Sequence, residues 1–344
     1  EYLKGRGLSG QIAKRFGLGY APEGWRSLAS IFPKYDDPLL AESGLVIVNE
    51  EDDKRYDRFR DRIMFPIRNV QGETIGFGGR VLDKGEPKYL NSPETPLFHK
   101  GANLYCLDRA RQAVTKDQPV IVAEGYMDVI ALSEAGFTAA VAPLGTAVTE
   151  DQLRLMWRIH DEPIIALDGD AAGIRAALRV VDLALPLLEA GKGLRFAVLP
   201  GGQDPDDLIK SQGPQAMQAV IEGAQPMVRL LWQRETEGRV FDSPERKATL
   251  DKSLRAALKR IADPSIRAHY GEDIKRLRLE LFGQGGARVP AFRGARFVPK
   301  GTPLPASASA RQSLLAQGLA VEEVLREAVI LATLILHPGL ILRF

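Results

Sequence analysis

The chain has 344 residues, 45% of them hydrophobic and 26% charged, and a net charge of +2; this exceeds the usual size of one domain, so two or three are expected. A single cysteine, Cys106, excludes a disulfide framework and a cysteine-rich zinc site, and His99, His160, His269 and His337 are too far apart in sequence to suggest another. The opening EYLKGRGLSG has no apolar signal-peptide core, and no run of about 18 apolar residues exists to span a bilayer, so the expectation is a cytoplasmic protein in a reducing compartment with no membrane partner.

Residues 1–110 read as mixed α and β. A helical LSGQIAKRFGLG is followed by strand patterns in GLVIV, DRIMFPI and GETIGFGGRVL, joined by Gly and Asn turns. Arg55, Arg58, Arg60, Arg62, Arg68 and Arg80 crowd this region. GETIGFGGR lacks the GxxxxGK[ST] spacing of a phosphate-cradling loop and opens no helix, so its glycines are read as hairpin glycines. Trp25, Trp157 and Trp232 are isolated and read as packing residues, and Cys106 in LYCL as a buried, inert thiol.

Residues 120–199 alternate short apolar runs with helical patterns: VIVA then YMDVIALSEAG, AAVA then TEDQLRLMWRI, PIIAL then AAGIRAALRVVDLALPLLEAG, and finally LRFAVL. Strands alternating with helices predict an α/β unit with a mostly parallel sheet and helices on its faces. Thr149 with Gln152 has capping-box spacing, and Gly191 is placed for a left-handed C-terminal cap. Beyond this unit, residues 207–283 read as a small helical bundle punctuated at Gly213-Pro214, Pro226, Ser243-Pro244 and Asp263-Pro264. Residues 284–310 have the Gly/Pro/Ala/Ser composition of a flexible linker, and a helical segment follows.

Charge is unevenly divided. Residues 1–110 carry 17 basic and 16 acidic side chains, residues 111–209 carry 8 and 15, and residues 210–344 carry 21 and 13. An acidic middle between more basic flanks suits a metal–carboxylate site serving a polyanion, although ordinary surface variation gives the same sums. Ligands in parallel sheets bind beyond the carboxyl ends of the strands. Glu124 in AEGYMDV, Asp168 and Asp170 in LDGDAAG, and Asp204 and Asp206 in GGQDPDD each follow a predicted strand in that direction. Such hard oxygen donors suit Mg²⁺ or Mn²⁺. Asp128 and Asp207 fit the site and an ordinary helix-capping role equally well.

EGYMDV, DGDAAG and QDPDDLI, in this order on a βα framework, resemble the TOPRIM fold of bacterial primases, topoisomerases and some nucleases. YLKGRGLSGQIAKRFGLGYAP, YDRFRDRIMFPIRN, GETIGFGGRVL and PKYLNSPETPLFHKG resemble the N-terminal half of the RNA polymerase core of bacterial DNA primase, and the resemblance runs to about residue 285. It implies an N-terminal subdomain over 1–112, a TOPRIM catalytic subdomain over 113–206, the helical bundle over 207–283, the linker over 284–310, and a truncated start of the helicase-interaction domain over 311–344. The zinc-binding domain of the family is expected to precede residue 1, so zinc is not expected in this fragment.

The activity implied is DNA-directed synthesis of short RNA primers from nucleoside triphosphates on single-stranded DNA. Glu124, Asp168 and Asp170 would hold two or more Mg²⁺ or Mn²⁺ ions, Glu124 could assist deprotonation of the attacking hydroxyl, and Asp204 and Asp206 would serve a second ion or its waters. Arg6, Arg80, Lys88, Asn91 and Lys100 match positions that line the template groove or nucleotide site, with Lys88 in a catalytic role. The partners implied are template, nucleoside triphosphates, the RNA–DNA primer duplex and the replicative helicase. The alternatives are another TOPRIM enzyme (nuclease or topoisomerase-like), an aspartyl phosphatase and a metal-stabilised nucleic-acid-binding module. Ala171-Ala172-Gly173 after the second Asp departs from the phosphatase pattern, which also leaves Glu124 without a role.

Overall fold

Ser9 starts the first helix of the described residues: its hydroxyl accepts the backbone N–H of Ile12 across the opening turn of α1 (Gly10–Phe16), and Gly17 closes the helix at φ 68°. This computed structural model describes residues 8–49, 51, 53–82, 85–115, 118–145, 147–283 and 329. Arg6, the expected linker over 284–310 and all but one residue of the segment expected to open the helicase-interaction domain lie outside the described residues.

The N-terminal region contains β1 (Gly19–Ala21), α2 (Pro38–Glu42), β2 (Val46–Val48), β3 (Arg55–Asp57), β4 (Arg62–Arg68), β5 (Thr74–Val81) and β6 (Tyr89–Asn91). Strands β1, β4, β5 and β6 form an antiparallel sheet in that order, and β2 pairs with β3 as a separate ribbon. Asn69 makes the β4–β5 turn, its Oδ1 accepting the N–H groups of Gln71 and Glu73, with Gly72 at φ 89°. The strand glycines have another reason. A Cβ on Gly78 would sit 2.6 Å from the Tyr126 ring, and one on Gly79 2.8 Å from Phe59, so these positions admit aromatic rings against bare backbone.

Helix α3 (Leu107–Ala113) leads into the predicted βα alternation: β7 (Ile121–Val122), α4 (Tyr126–Glu134), β8 (Ala140–Val141), α5 (Glu150–Ile159), β9 (Ile164–Leu167), α6 (Ala171–Ala184) and β10 (Arg195–Val198). Thr149 and Gln152 form the expected capping box. Then come α7 (Pro205–Gln212), α8 (Pro214–Glu222), β11 (Gln225–Pro226), α9 (Met227–Thr236), α10 (Pro244–Lys259) and α11 (Pro264–Phe282). The sheet order is β11-β10-β9-β7-β8, with β11 antiparallel and the rest parallel.

Period-2 alternation divides the sheet between two cores. Val122, Val141, Ile165, Leu167 and Phe196 pack with Trp157 of α5, Val181 of α6, Leu231 of α9, Leu250 of α10 and Ile274 of α11. Ile121, Ala140, Ile164, Ala166 and Ala197 pack with Ile130 of α4 and Leu208 of α7, and also with Phe65 and Ile67 of the antiparallel sheet. Each expected subdomain therefore shares its core with a neighbour. The boundaries placed at 112 and 206 fall inside α3 and α7.

Three local readings are corrected. The helix expected to run to Gly191 stops at Ala184 because Pro186 can make no further helical hydrogen bond; Gly191, at φ 85°, lies in the turn before β10. Strand β11 was unforeseen, since Pro226 reads as a breaker and is accepted only because β11 is an edge. Trp25 is not packed away: it is 64% exposed, whereas Trp157 is buried with its Nε1 donating to Gly193 O at 2.8 Å. Cys106 is buried as expected, and burial pushes its thiol up to about 12.

Candidate active site at the carboxyl edge of the parallel sheet

Strands β7 and β9 are neighbours, yet the chain leaves β7 for β8 on one side and β9 for β10 on the other. That reversal opens a crevice at the carboxyl ends of the two strands, where helices diverge to opposite faces. Glu124 lies two residues beyond β7 and Asp168 immediately beyond β9. The two carboxylates are close enough for each to feel the other's surroundings: the Glu124 charge is, after burial, among the causes that raise the proton affinity of Asp168.

The other carboxylates start helices that face the same edge. Asp170 caps α6, accepting from Ala172 and Gly173 N–H at 2.8 and 2.7 Å. Asp204 caps α7 through Asp207 N–H at 2.7 Å. Asp206, 7% exposed, pairs with Lys210 at 2.6 Å, and Asp128 in the first turn of α4 accepts the Gly125 N–H at 3.0 Å. Asp168 is different: its Oδ1 is buried and has no hydrogen-bond partner.

Burial and the repulsion of neighbouring carboxylates raise the proton affinity of three of these side chains, Asp128, Asp168 and Glu124. Burial, then the charges of Asp204, Asp168 and Asp206, raise Asp128 to about 8. Asp168 rises to about 7 through burial and the charges of Glu124, Asp204, Asp170 and Asp207. Glu124 is raised by burial and by the charge of Asp170, an effect opposed by the backbone of Asp168 and by the charge of Arg179. Asp128 and Asp207 thus belong to the same electrostatic field, a choice the sequence left open. Arg179 had no sequence signal, because its approach to Glu124 depends on how α6 packs.

Among the described residues no three His, Cys, Asp or Glu side chains close on one point as a ready chelate. The donor chemistry still fits a hard divalent cation, which takes a few carboxylates and completes its shell with water and phosphate oxygens. The orphaned oxygen of Asp168 is the natural first donor.

Two family models match the chain: the N-terminal domain of the DNA primase catalytic core over residues 1–111, and the Toprim domain over 118–198. The DNA primase of Neisseria meningitidis serogroup A is 45% identical over 266 residues, 77% of this chain and 45% of that protein. A DNA primase domain from Pseudomonas aeruginosa superposes with a TM-score of 0.76 at 43% identity, covering 80% of this chain and 87% of that one. The chain belongs to the bacterial DNA primase family. A primase catalytic domain solved with single-stranded DNA is also similar, with a TM-score of 0.73, 39% identity and coverage of 80% and 89%. The chain spans about half the length of the curated relatives it matches.

In this primase core the expected nucleic-acid residues are placed unequally. Lys88 is exposed next to β6, and Lys100 is half-buried. Asn91, on β6, donates to Leu144 O at 2.8 Å and accepts from the Tyr126 hydroxyl at 2.7 Å, so it ties the antiparallel sheet to the loop after β8. Arg80, expected in the template groove, is only 6% exposed and donates to the Tyr89 hydroxyl at 2.9 Å. That bond ties β5 to β6 across the sheet. The missed residue here is Tyr126, inside EGYMDV itself, which stacks on Phe65 at 5.0 Å and lies over Gly78.

The glycine between the two aspartates of the primase motif has no spare room. A Cβ on Gly169 would lie 2.0 Å from the backbone oxygen of Leu199 in the segment after β10. Gly169→Ala is expected to lower unfolding stability by about 3 kcal/mol, the upper part of the overpacking range, because backbone rather than a flexible side chain must move. Chemical denaturation measures it. A loss below about 0.5 kcal/mol, the ordinary surface value, would contradict the close approach.

Proposed function

We propose that this chain carries the polymerising core of a DNA primase, a metal-dependent nucleotidyltransferase that synthesises short RNA primers on single-stranded DNA. The observation that carries the reading is the placement of Glu124 and Asp168 just past the carboxyl ends of the adjacent strands β7 and β9, with a buried Asp168 oxygen left without a partner, in a chain of this family. The reaction joins a 3′-hydroxyl to the α-phosphate of a nucleoside triphosphate, forming one P–O bond and releasing pyrophosphate.

Mg²⁺ or Mn²⁺, two or more ions held by Glu124, Asp168 and Asp170 with Asp204 and Asp206 in support, would offset charge on the attacking and leaving oxygens. The protein's own residues have separate tasks. Glu124, whose affinity for a proton is raised by burial, is suited to accept the hydroxyl proton. Asp170 and Asp204, fixed by the N–H groups they cap, hold the starts of α6 and α7 toward the crevice. Exposed Lys88 and half-buried Lys100 supply positive charge for triphosphate or template phosphates. The template is single-stranded DNA, as in the related domain solved with it; the primer duplex and, through sequence beyond the core, the replicative helicase complete the set of partners.

Incubating the chain with single-stranded DNA, the four nucleoside triphosphates and Mg²⁺ is expected to yield short RNA products. Lys88→Ala should reduce their yield by about 10-fold or more, the scale of removing one charged contact to a transferring phosphate. Products cleaved from the DNA with no RNA made would favour the nuclease alternative; equal yields from Lys88→Ala would remove Lys88 from the nucleotide site.

A further inference from the structure

The two ends of the acidic edge are not equivalent. At one end the buried Oδ1 of Asp168 has no hydrogen-bond partner. At the other, Asp206 Oδ2 already holds a cation, the Lys210 ammonium, at 2.6 Å. Lys210 follows Asp206 by one turn of α7, the order and spacing that bring a carboxylate and an ammonium together on a helix.

An ordinary helical ion pair of this spacing lies in water. Arg154–Glu150 and Arg246–Asp242 are of that kind, with every side chain at least 45% exposed. The Asp206 side chain is 9% exposed and that of Lys210 43%, so a buried carboxylate is met by a cation that reaches it from solvent. Asp206 also stands in the field of Asp128, whose proton affinity is raised by burial and then by the charges of Asp204, Asp168 and Asp206. The ammonium therefore neutralises one member of a cluster whose members repel each other. A divalent ion taking Asp206 would lie against that ammonium, and the two positive charges oppose one another.

We propose that Lys210 is the resident counter-ion of the acidic edge and makes its ion sites unequal: the Asp168 end loads first, and an ion that uses Asp206 binds more weakly because it must displace the ammonium. The inference rests on the metal-binding part of the reading above. It adds an order of loading set by a side chain that has no lone pair to offer an ion and so is not itself a ligand.

The test titrates the metal-free 344-residue chain with Mn²⁺ and follows the free-ion signal by electron paramagnetic resonance, which counts bound ions and gives their affinities. The unmodified chain should show a tighter and a weaker class, and Asp206→Asn should lose the weaker one. Lys210→Met keeps the apolar stem and drops the charge. It should tighten the weaker class about 5-fold, the gain when an ion pair of this exposure no longer has to be broken, and leave the tighter class within about twofold. Lys210→Gln should behave in the same way, and Lys210→Arg should match the unmodified chain. A misfolded variant cannot gain affinity, so the tightening is read without recourse to turnover.

No Mn²⁺ bound by the unmodified chain would remove the metal reading itself. Equal affinities in the unmodified chain and Lys210→Met would overturn the counter-ion role alone. So would a weaker class that loosens in Lys210→Met, because the ammonium would then be holding Asp206 in place for the ion.

Discussion

Asp168→Asn is expected to lower RNA primer synthesis by roughly 10²–10³-fold, the loss typical when one preorganised charge-stabilising group is removed at a reacting centre. The substitution conserves shape and keeps a carbonyl oxygen, so β9 and α6 have no reason to move. What it removes is the negative charge beside Glu124, at the buried oxygen left without a partner. Affinity for single-stranded DNA should stay within about twofold, because that affinity is set by phosphate neutralisation and base stacking elsewhere. Primer extension and anisotropy on one preparation separate the two effects. Full extension activity in Asp168→Asn would eliminate the catalytic assignment; a parallel loss of DNA affinity would instead make Asp168 part of the template surface.

A second large effect is expected in stability against pH. Asp128 and Asp168 titrate near 8 and 7 in the folded protein against an ordinary value of 3.8. Between those limits the folded state binds more protons than the unfolded state, so stability attributable to this pair falls as pH rises from about 4 to about 8 and is level above that. At pH 8 without divalent ions, Asp128→Asn should therefore melt higher than the unmodified chain, and at pH 4 the two should coincide. Asn keeps the acceptor for the Gly125 N–H, which leaves the capping bond intact. Mg²⁺ should raise the melting temperature of the unmodified chain most at pH 8, where the carboxylates are ionised, and far less in Asp168→Asn. Melting curves at pH 4, 6 and 8 with and without Mg²⁺ decide it. A difference between the chain and Asp128→Asn that does not change with pH would show that the cluster is not strained.

Much of this arrangement was readable before coordinates because it depends on local rules. Strand ends followed by Asp168 and Asp204, the Thr149–Gln152 box and the proline starts at Pro244 and Pro264 are written in neighbouring residues, whereas the capping by Asp170 and Asp204 is not read there. What sequence could not supply was every feature set by contact between distant segments. Gly78 reads as a turn residue until Tyr126, 48 positions later, is seen lying on it. Nothing around Arg80 in the sequence signals that it is buried beside the Tyr89 hydroxyl, to which it donates. Asp128 could be a plain capping residue until Asp204 and Asp206 come up beside it. The exposure of Trp25 had no signal either, because an isolated tryptophan is usually a packing residue.

Tyr126 also changes how the chain can be divided. It stacks on Phe65, meets Tyr105 edge-on at 4.7 Å and donates to Asn91, two residues after the carboxylate that opens its own motif. The carboxylate edge and the antiparallel sheet therefore behave as one casting, with the acidic cluster held at a fixed gauge from the sheet that faces it. No joint exists at which one half could be exchanged for that of a relative without recutting both mating surfaces. Substitutions between relatives are consequently expected to accumulate at the exposed positions, such as Trp25 and Lys88, and not at the seam.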